Sequence, residues 1–179
     1  MGVFKVIRHT DGGYEYLNHA VNYVVFGKAT SDRVGSPNTS LVEPIEQMHY
    51  VKKYFDKRSV DPLFHFIVAY NTRSAYDLER AKQMTRMIAE YFAPRYQIVW
   101  CVHEKHMSKG RSHYGMATMY HAHFIMNSVS YKDGRMFSGD HAEIYSFLEY
   151  IKSVTRDRSW KTVYGSDKEK GYELTDDDL

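Results

Sequence analysis

At 179 residues, 43% of them hydrophobic, the chain is long enough for one domain with a sizeable core. Its 24 Lys and Arg against 22 Asp and Glu leave a formal charge of +2. A single cysteine, Cys101, excludes an internal disulfide framework and a cysteine-rich zinc site. No stretch approaches the roughly 20 consecutive apolar residues of a membrane span, and Met1-Gly2-Val3-Phe4-Lys5 is no secretory signal. The expected compartment is therefore the cytoplasm. Ten histidines and sixteen tyrosines are more than a fold of this size needs, so their placement is the question.

Periodicity divides the chain into elements. Val3 to Arg8 alternates as an edge strand, and Gly12-Gly13 precedes a helical run, Tyr14 to Val25. Gly27 to Asn38, rich in Gly, Ser, Pro and Asn, predicts a long mobile loop. A second helix covers Glu43 to Lys57, with Pro44 in its first turn. Leu63 to Tyr70 is a buried strand, and Ala75 to Phe92 is an amphipathic helix stopped by Pro94. Two strands follow, Tyr96 to His103 and Met119 to Ser130, joined through a basic loop. Asp133-Gly134 makes a tight turn, and Ala142 to Val154 is the last helix. This order predicts an α+β fold, a central antiparallel sheet with helices packed on one face. Residues 1–160 form the expected domain, and 161–179 a charged C-terminal extension or linker.

The strand period of two puts His121, His123, Ile125 and Asn127 on one face, and Tyr120, Ala122, Phe124 and Met126 on the other. A hairpin between the two late strands brings His103 beside His121 and His123, on the face expected to be free of helices. Three converging imidazoles are a candidate metal site, because neutral imidazole ligates several divalent ions. His106, His113 and Glu104 are alternatives for the third position.

The segment His121-Ala122-His123-Phe124-Ile125-Met126-Asn127-Ser128-Val129 resembles the His-hydrophobic-His segment of conjugative relaxases, the plasmid mobilisation nucleases of the HUH endonuclease superfamily. Tyr96 to His103 is similar to that family's other ligand strand, and Lys132 to Phe137 to its following hairpin. Ala20-Val21-Asn22-Tyr23-Val24-Val25-Phe26-Gly27-Lys28-Ala29-Thr30 resembles the family's nucleophile segment. The likeness runs from about Val3 to Val154 and is closest to the MOBP-like group with one N-terminal catalytic tyrosine. Two positions depart from the pattern. Lys105 stands where many members carry Asp, and the strand that often bears a Ser reads Phe66-Ile67-Val68-Ala69-Tyr70, leaving Asn71 or Thr72 for that role.

The resemblance implies site- and strand-specific nicking and religation of DNA at an origin of transfer, with Tyr23 as nucleophile. It implies a divalent ion, Mg²⁺ or Mn²⁺, on His103, His121 and His123. Implied partners are single-stranded origin-of-transfer DNA, relaxosome accessory proteins and a coupling protein of a type IV secretion system. Tyr16 and Tyr14 are the rival nucleophiles on the same helix. Lys28, Arg33, Asn127, Lys132 and Arg135 are the expected DNA contacts, the cations in loops near the site. Two competing readings remain. One is a rolling-circle replication initiator or single-tyrosine transposase, which usually places its tyrosine after the histidine pair. The other is a sequence-specific DNA-binding module without activity.

Overall fold

A computed structural model of the chain describes residues 1–8, 13–27, 31–57, 63–104 and 120–166. In chain order these form β1 (Gly2–Arg8), α1 (Gly13–Phe26), a 3-10 turn (Ser31–Arg33), β2 (Val34–Gly35), α2 (Pro44–Tyr54) and β3 (Leu63–Ala69). Then follow α3 (Leu78–Ala89), β4 (Tyr96–Glu104), β5 (Tyr120–Ser130), α4 (His141–Thr155) and β6 (Trp160–Ser166). Asp77 and Asp140 begin α3 and α4 by accepting the backbone N–H of Arg80 and Glu143, at 2.7 and 2.9 Å. Glu143 reaches back to the N–H groups of Ser138 and Gly139, closing the α4 entry. Capping at Asp77 is why α3 starts at Leu78 and not at Ala75.

The strands form one sheet in the order β2-β4-β5-β3-β1-β6. All neighbours pair antiparallel except β1 and β6, which run parallel. The predicted α+β class holds, with a mixed sheet in place of a wholly antiparallel one. One face of the sheet carries Phe4, Phe66, Trp100, Val102, Ala122, Phe124 and Met126, packed on Met84 and Ile88 of α3 and Phe147 and Ile151 of α4. Phe92 lies against both layers, 5.4 Å from the Phe66 ring and 4.5 Å from that of Phe147. Each fully buried aromatic of this kind contributes on the order of 1.5–3 kcal/mol by leaving water.

The other face is also covered, contrary to expectation. Val99, Cys101, Ile125 and Leu63 pack on Tyr16, Leu17, Ala20, Val21 and Val24 of α1 and Met48 of α2. Apolar strand residues on that side would otherwise face water, and the apolar stripe of α1 has nowhere else to go. Three further expectations change. β1 is no edge strand, because β6 pairs along its outer side. Residues 31–38 of the anticipated mobile loop are fixed against β4. Val34 and Gly35 pair with Cys101 and Trp100, while the Asn38 amide bonds to the carbonyls of Ala93 and Tyr96 and accepts from Ile98. The sheet also runs past residue 160, since Trp160–Ser166 is β6. No helix among the described residues is long and apolar enough to cross a membrane.

The turn after β5 is held by Gly134, which has φ of +70°. An added Cβ there would lie 2.5 Å from Cδ1 of Phe55, at the end of α2. Gly134→Ala is therefore expected to destabilise the fold by about 1–2 kcal/mol through the left-handed backbone and the clash together. A urea titration reads this as a lower midpoint at unchanged slope.

Candidate metal centre and facing tyrosine

The antiparallel register of β4 and β5 makes His103 and His121 direct cross-strand partners. His123 lies two residues along, on the same face, opposite Cys101 on one side and Ile67 on the other. The imidazole centroids are separated by 5.3 Å for His103 and His121, 4.9 Å for His103 and His123, and 5.2 Å for His121 and His123. One potential ligand atom from each residue lies within 4.8 Å of the others, and all three side chains are buried. Nitrogens sharing one tetrahedral ion at about 2.1 Å lie about 3.4 Å apart. Closing the triad on an ion thus takes side-chain shifts of up to about 1 Å each.

The donor set suits a divalent cation. His123 is 1% exposed, and its Nε2 is buried with no hydrogen-bond partner among the described residues. Burial holds its pKa well below the usual value, and the neighbouring charges of His65, His121, His103 and Lys5 add to this. The ring is therefore neutral and able to donate a lone pair. His103 Nε2 contacts Cys101 Sγ at 3.3 Å. Glu104 pairs with Arg33 at 3.4 Å and is not part of the cluster. His106 and His113 lie outside the described residues.

Tyr23 reaches this cluster from α1. Its ring makes edge contacts with His103 at 5.6 Å and His123 at 5.5 Å. Tyr16 instead is 2% exposed within the core beneath α1, and the side chain of Tyr14 is outside the described residues. Gly27 ends the helix one turn after Tyr23. A Cβ at Gly27 would lie 2.2 Å from the Tyr23 carbonyl oxygen, so a larger residue would displace the very turn that carries the phenol.

The predicted DNA contacts separate. Arg33 lies at the triad end of the sheet, paired to Glu104. Lys28 falls outside the described residues. Asn127 does not reach the surface: it is fully buried, donates to the Met48 carbonyl and Gln97 Oε1, and accepts from Val129 N. It ties α2 to the sheet. Lys132 and Arg135 are exposed but not near the triad. They follow the far end of β5, with the seven steps from His123 to Ser130 spanning about 24 Å. Asn71 lies just past the triad end of β3, yet its Oδ1 accepts from Arg73 N and Ser74 N and its amide pairs with Asp157. It shapes that turn.

Two residues of this face escaped the sequence reading. Lys5, Ile67, His123 and Cys101 form one cross-strand row, which sets a cation beside the histidines. His65 stacks on His123 at 5.2 Å, with its Nε2 3.0 Å from His123 Nδ1. A lone histidine inside the apolar run Leu-Phe-His-Phe-Ile-Val-Ala was the available signal.

The depressed pKa of His123 has a sign that can be tested. In the unfolded chain the ring titrates near 6.5, and in the native protein it stays neutral well below that. As pH falls under 6.5 the unfolded state takes up the proton first, so stability is lost. In chelator-treated protein the urea midpoint is expected to fall from about pH 7 to about pH 5 more steeply than in His123→Gln.

A model of the family described as relaxase, MobA/VirD2-like, nuclease domain, matches residues 23–160. No curated protein and no solved structure gives a match. The matched span opens on Tyr23 and takes in all three histidines, well over half of the chain, and the chain belongs to the relaxase family as a MobA/VirD2-like nuclease domain.

Proposed function

We propose that this domain nicks and religates one DNA strand at an origin of transfer, with Tyr23 as nucleophile, to start mobilisation of a conjugative plasmid or integrative element. The observation that carries this reading is the edge contact of the Tyr23 ring with both His103 and His123. A phenol of ordinary pKa about 10 is a weak nucleophile, so it must act where phosphate charge is stabilised. A divalent ion such as Mg²⁺ or Mn²⁺, held by His103, His121 and His123, would supply that charge stabilisation at the non-bridging phosphate oxygens.

Tyr23 Oη attacks phosphorus, the Oη–P bond forms, and the P–O3′ bond breaks with its electron pair passing to O3′. The phenol gives up one proton and O3′ gains one, so the step needs no net proton and no nucleotide. The products are a 5′-phosphotyrosine and a free 3′-hydroxyl. The reverse attack by O3′ reseals the strand, because the phosphodiester is exchanged and not hydrolysed. The histidines are held on neighbouring strands and the tyrosine on a helix packed over them, so the reacting groups are pre-positioned. Arg33 supports the reading as a cation at the same end of the sheet, suited to a DNA phosphate. Relaxosome accessory proteins and a type IV coupling protein are the partners this function requires.

With a labelled single-stranded oligonucleotide carrying the element's nic sequence, native protein and Mn²⁺ are expected to give a covalent adduct that resists denaturing electrophoresis. Tyr23→Phe should bind the oligonucleotide yet form no adduct, whereas Tyr16→Phe should retain it. An adduct in Tyr23→Phe would overturn the assignment, and binding without any adduct in native protein would favour a non-catalytic DNA-binding module. Calorimetric titration of Mn²⁺ should show His121→Ala weakened by more than about tenfold, since even changes outside the ligand shell are worth that much.

A further inference from the structure

A further buried histidine stands on the strand next to the cluster. His65 and His123 are both buried, at 0% and 1% exposure. In the ladder between β3 and β5, His65 pairs with Ile125 and Ile67 with His123, so the two histidines are diagonal neighbours on one face. Their rings lie at an interplanar angle of 30°, and His65 Nε2 is 3.0 Å from His123 Nδ1. A contact of that length between two imidazole nitrogens needs one N–H and one lone pair. Metal ligation through His123 Nε2 uses the lone pair of that atom, which obliges Nδ1 to carry the proton. Nδ1–H then donates, and His65 Nε2 accepts.

We infer that His65 is a positioning residue for the metal centre: it accepts the Nδ1–H of His123 and holds that ring in the tautomer and orientation that present Nε2 to a divalent ion. The inference rests on the metal-centre reading above and names a second histidine behind the ligand. Outer partners of this kind fix ring orientation and raise ligand basicity, and are usually carboxylates, backbone carbonyls or water. A neutral imidazole does the same without adding a negative charge to a buried site. That choice suits a strand whose other residues, from Leu63 to Ala69, are all apolar and buried.

The test uses the whole chain and two variants. His65→Phe keeps the ring volume and removes the acceptor, while His65→Gln returns an acceptor oxygen at similar reach. Mn²⁺ affinity by calorimetry is expected to fall about 10–100-fold in His65→Phe and to recover to within a few-fold of native in His65→Gln. Long-range proton–nitrogen spectra of the metal-free native protein should show His123 as the Nδ1–H tautomer, and His65→Phe should show a mixture. Thermal melting of both metal-free variants separates this from a packing role, which would lower the melting point of His65→Phe and leave its Mn²⁺ affinity native. Native affinity in His65→Phe, or an Nε2–H tautomer of His123 in native protein, overturns the assignment. If native protein takes up no Mn²⁺, the metal-centre reading fails, and the tautomer in the metal-free protein still decides the role of His65.

Discussion

Everything in this fold depends on β5 being buried along its whole length and on both faces. Its eleven residues are all buried, yet they serve two different layers. Tyr120, Ala122, Phe124 and Met126 meet the aromatic core under α3 and α4, while on the other face, beside His121, the residues His123, Ile125 and Asn127 meet α1 and α2. A slip of one residue would send the imidazoles into the aromatic core and the aromatic residues among the histidines. The hydrophobic effect on one face therefore fixes the position of the chemistry on the other. The geometry of the histidine cluster is a by-product of strand register.

That arrangement also explains the buried polar groups. The Asn127 amide joins the Met48 carbonyl to Gln97, and Lys52 on α2 donates to Ser128 Oγ at 3.0 Å. Both contacts attach α2 to β5 beyond the apolar part of the interface. They keep that layer in one place relative to the strand, at the end away from the histidines. The histidine end relies on α1, whose apolar stripe ends in Val24 with Tyr23 beside it.

Much of this was legible because strand and helix periods differ. The alternation from Tyr120 to Asn127 gave the face of His121 and His123, and the order of the two late strands gave the pairing with His103. What stayed hidden is non-local. The cover over the histidines could not be read from β4 or β5 alone, because Val99, Cys101 and Ile125 are also compatible with a thin open face. The partnership of His65 with His123 depends on β3 lying next to β5, a neighbourhood that crosses 58 positions of sequence. Asn127 misled for the same reason: an amide in a familiar motif looks like a ligand contact until its burial is known. Lys132 and Arg135 are close to the histidines in sequence but not in space, since an extended strand separates its two ends efficiently.

The pairing of β6 with β1 bears on how the domain should be excised for study. Similarity to the family covers residues 23–160, but the sheet does not begin or end there. Gly2 N donates to the Ser159 carbonyl at 2.8 Å, and the two strands then run in register from Gly2 with Trp160 to Arg8 with Ser166. A piece cut at the limits of similarity would lose β1, the partner strand of β3, and nearly all of β6. A cut at residue 160 alone would bare the outer edge of β1, a row of N–H and C=O groups ready to recruit a strand from another molecule. Self-association of such a fragment would then report on where it was cut, not on the relaxase itself.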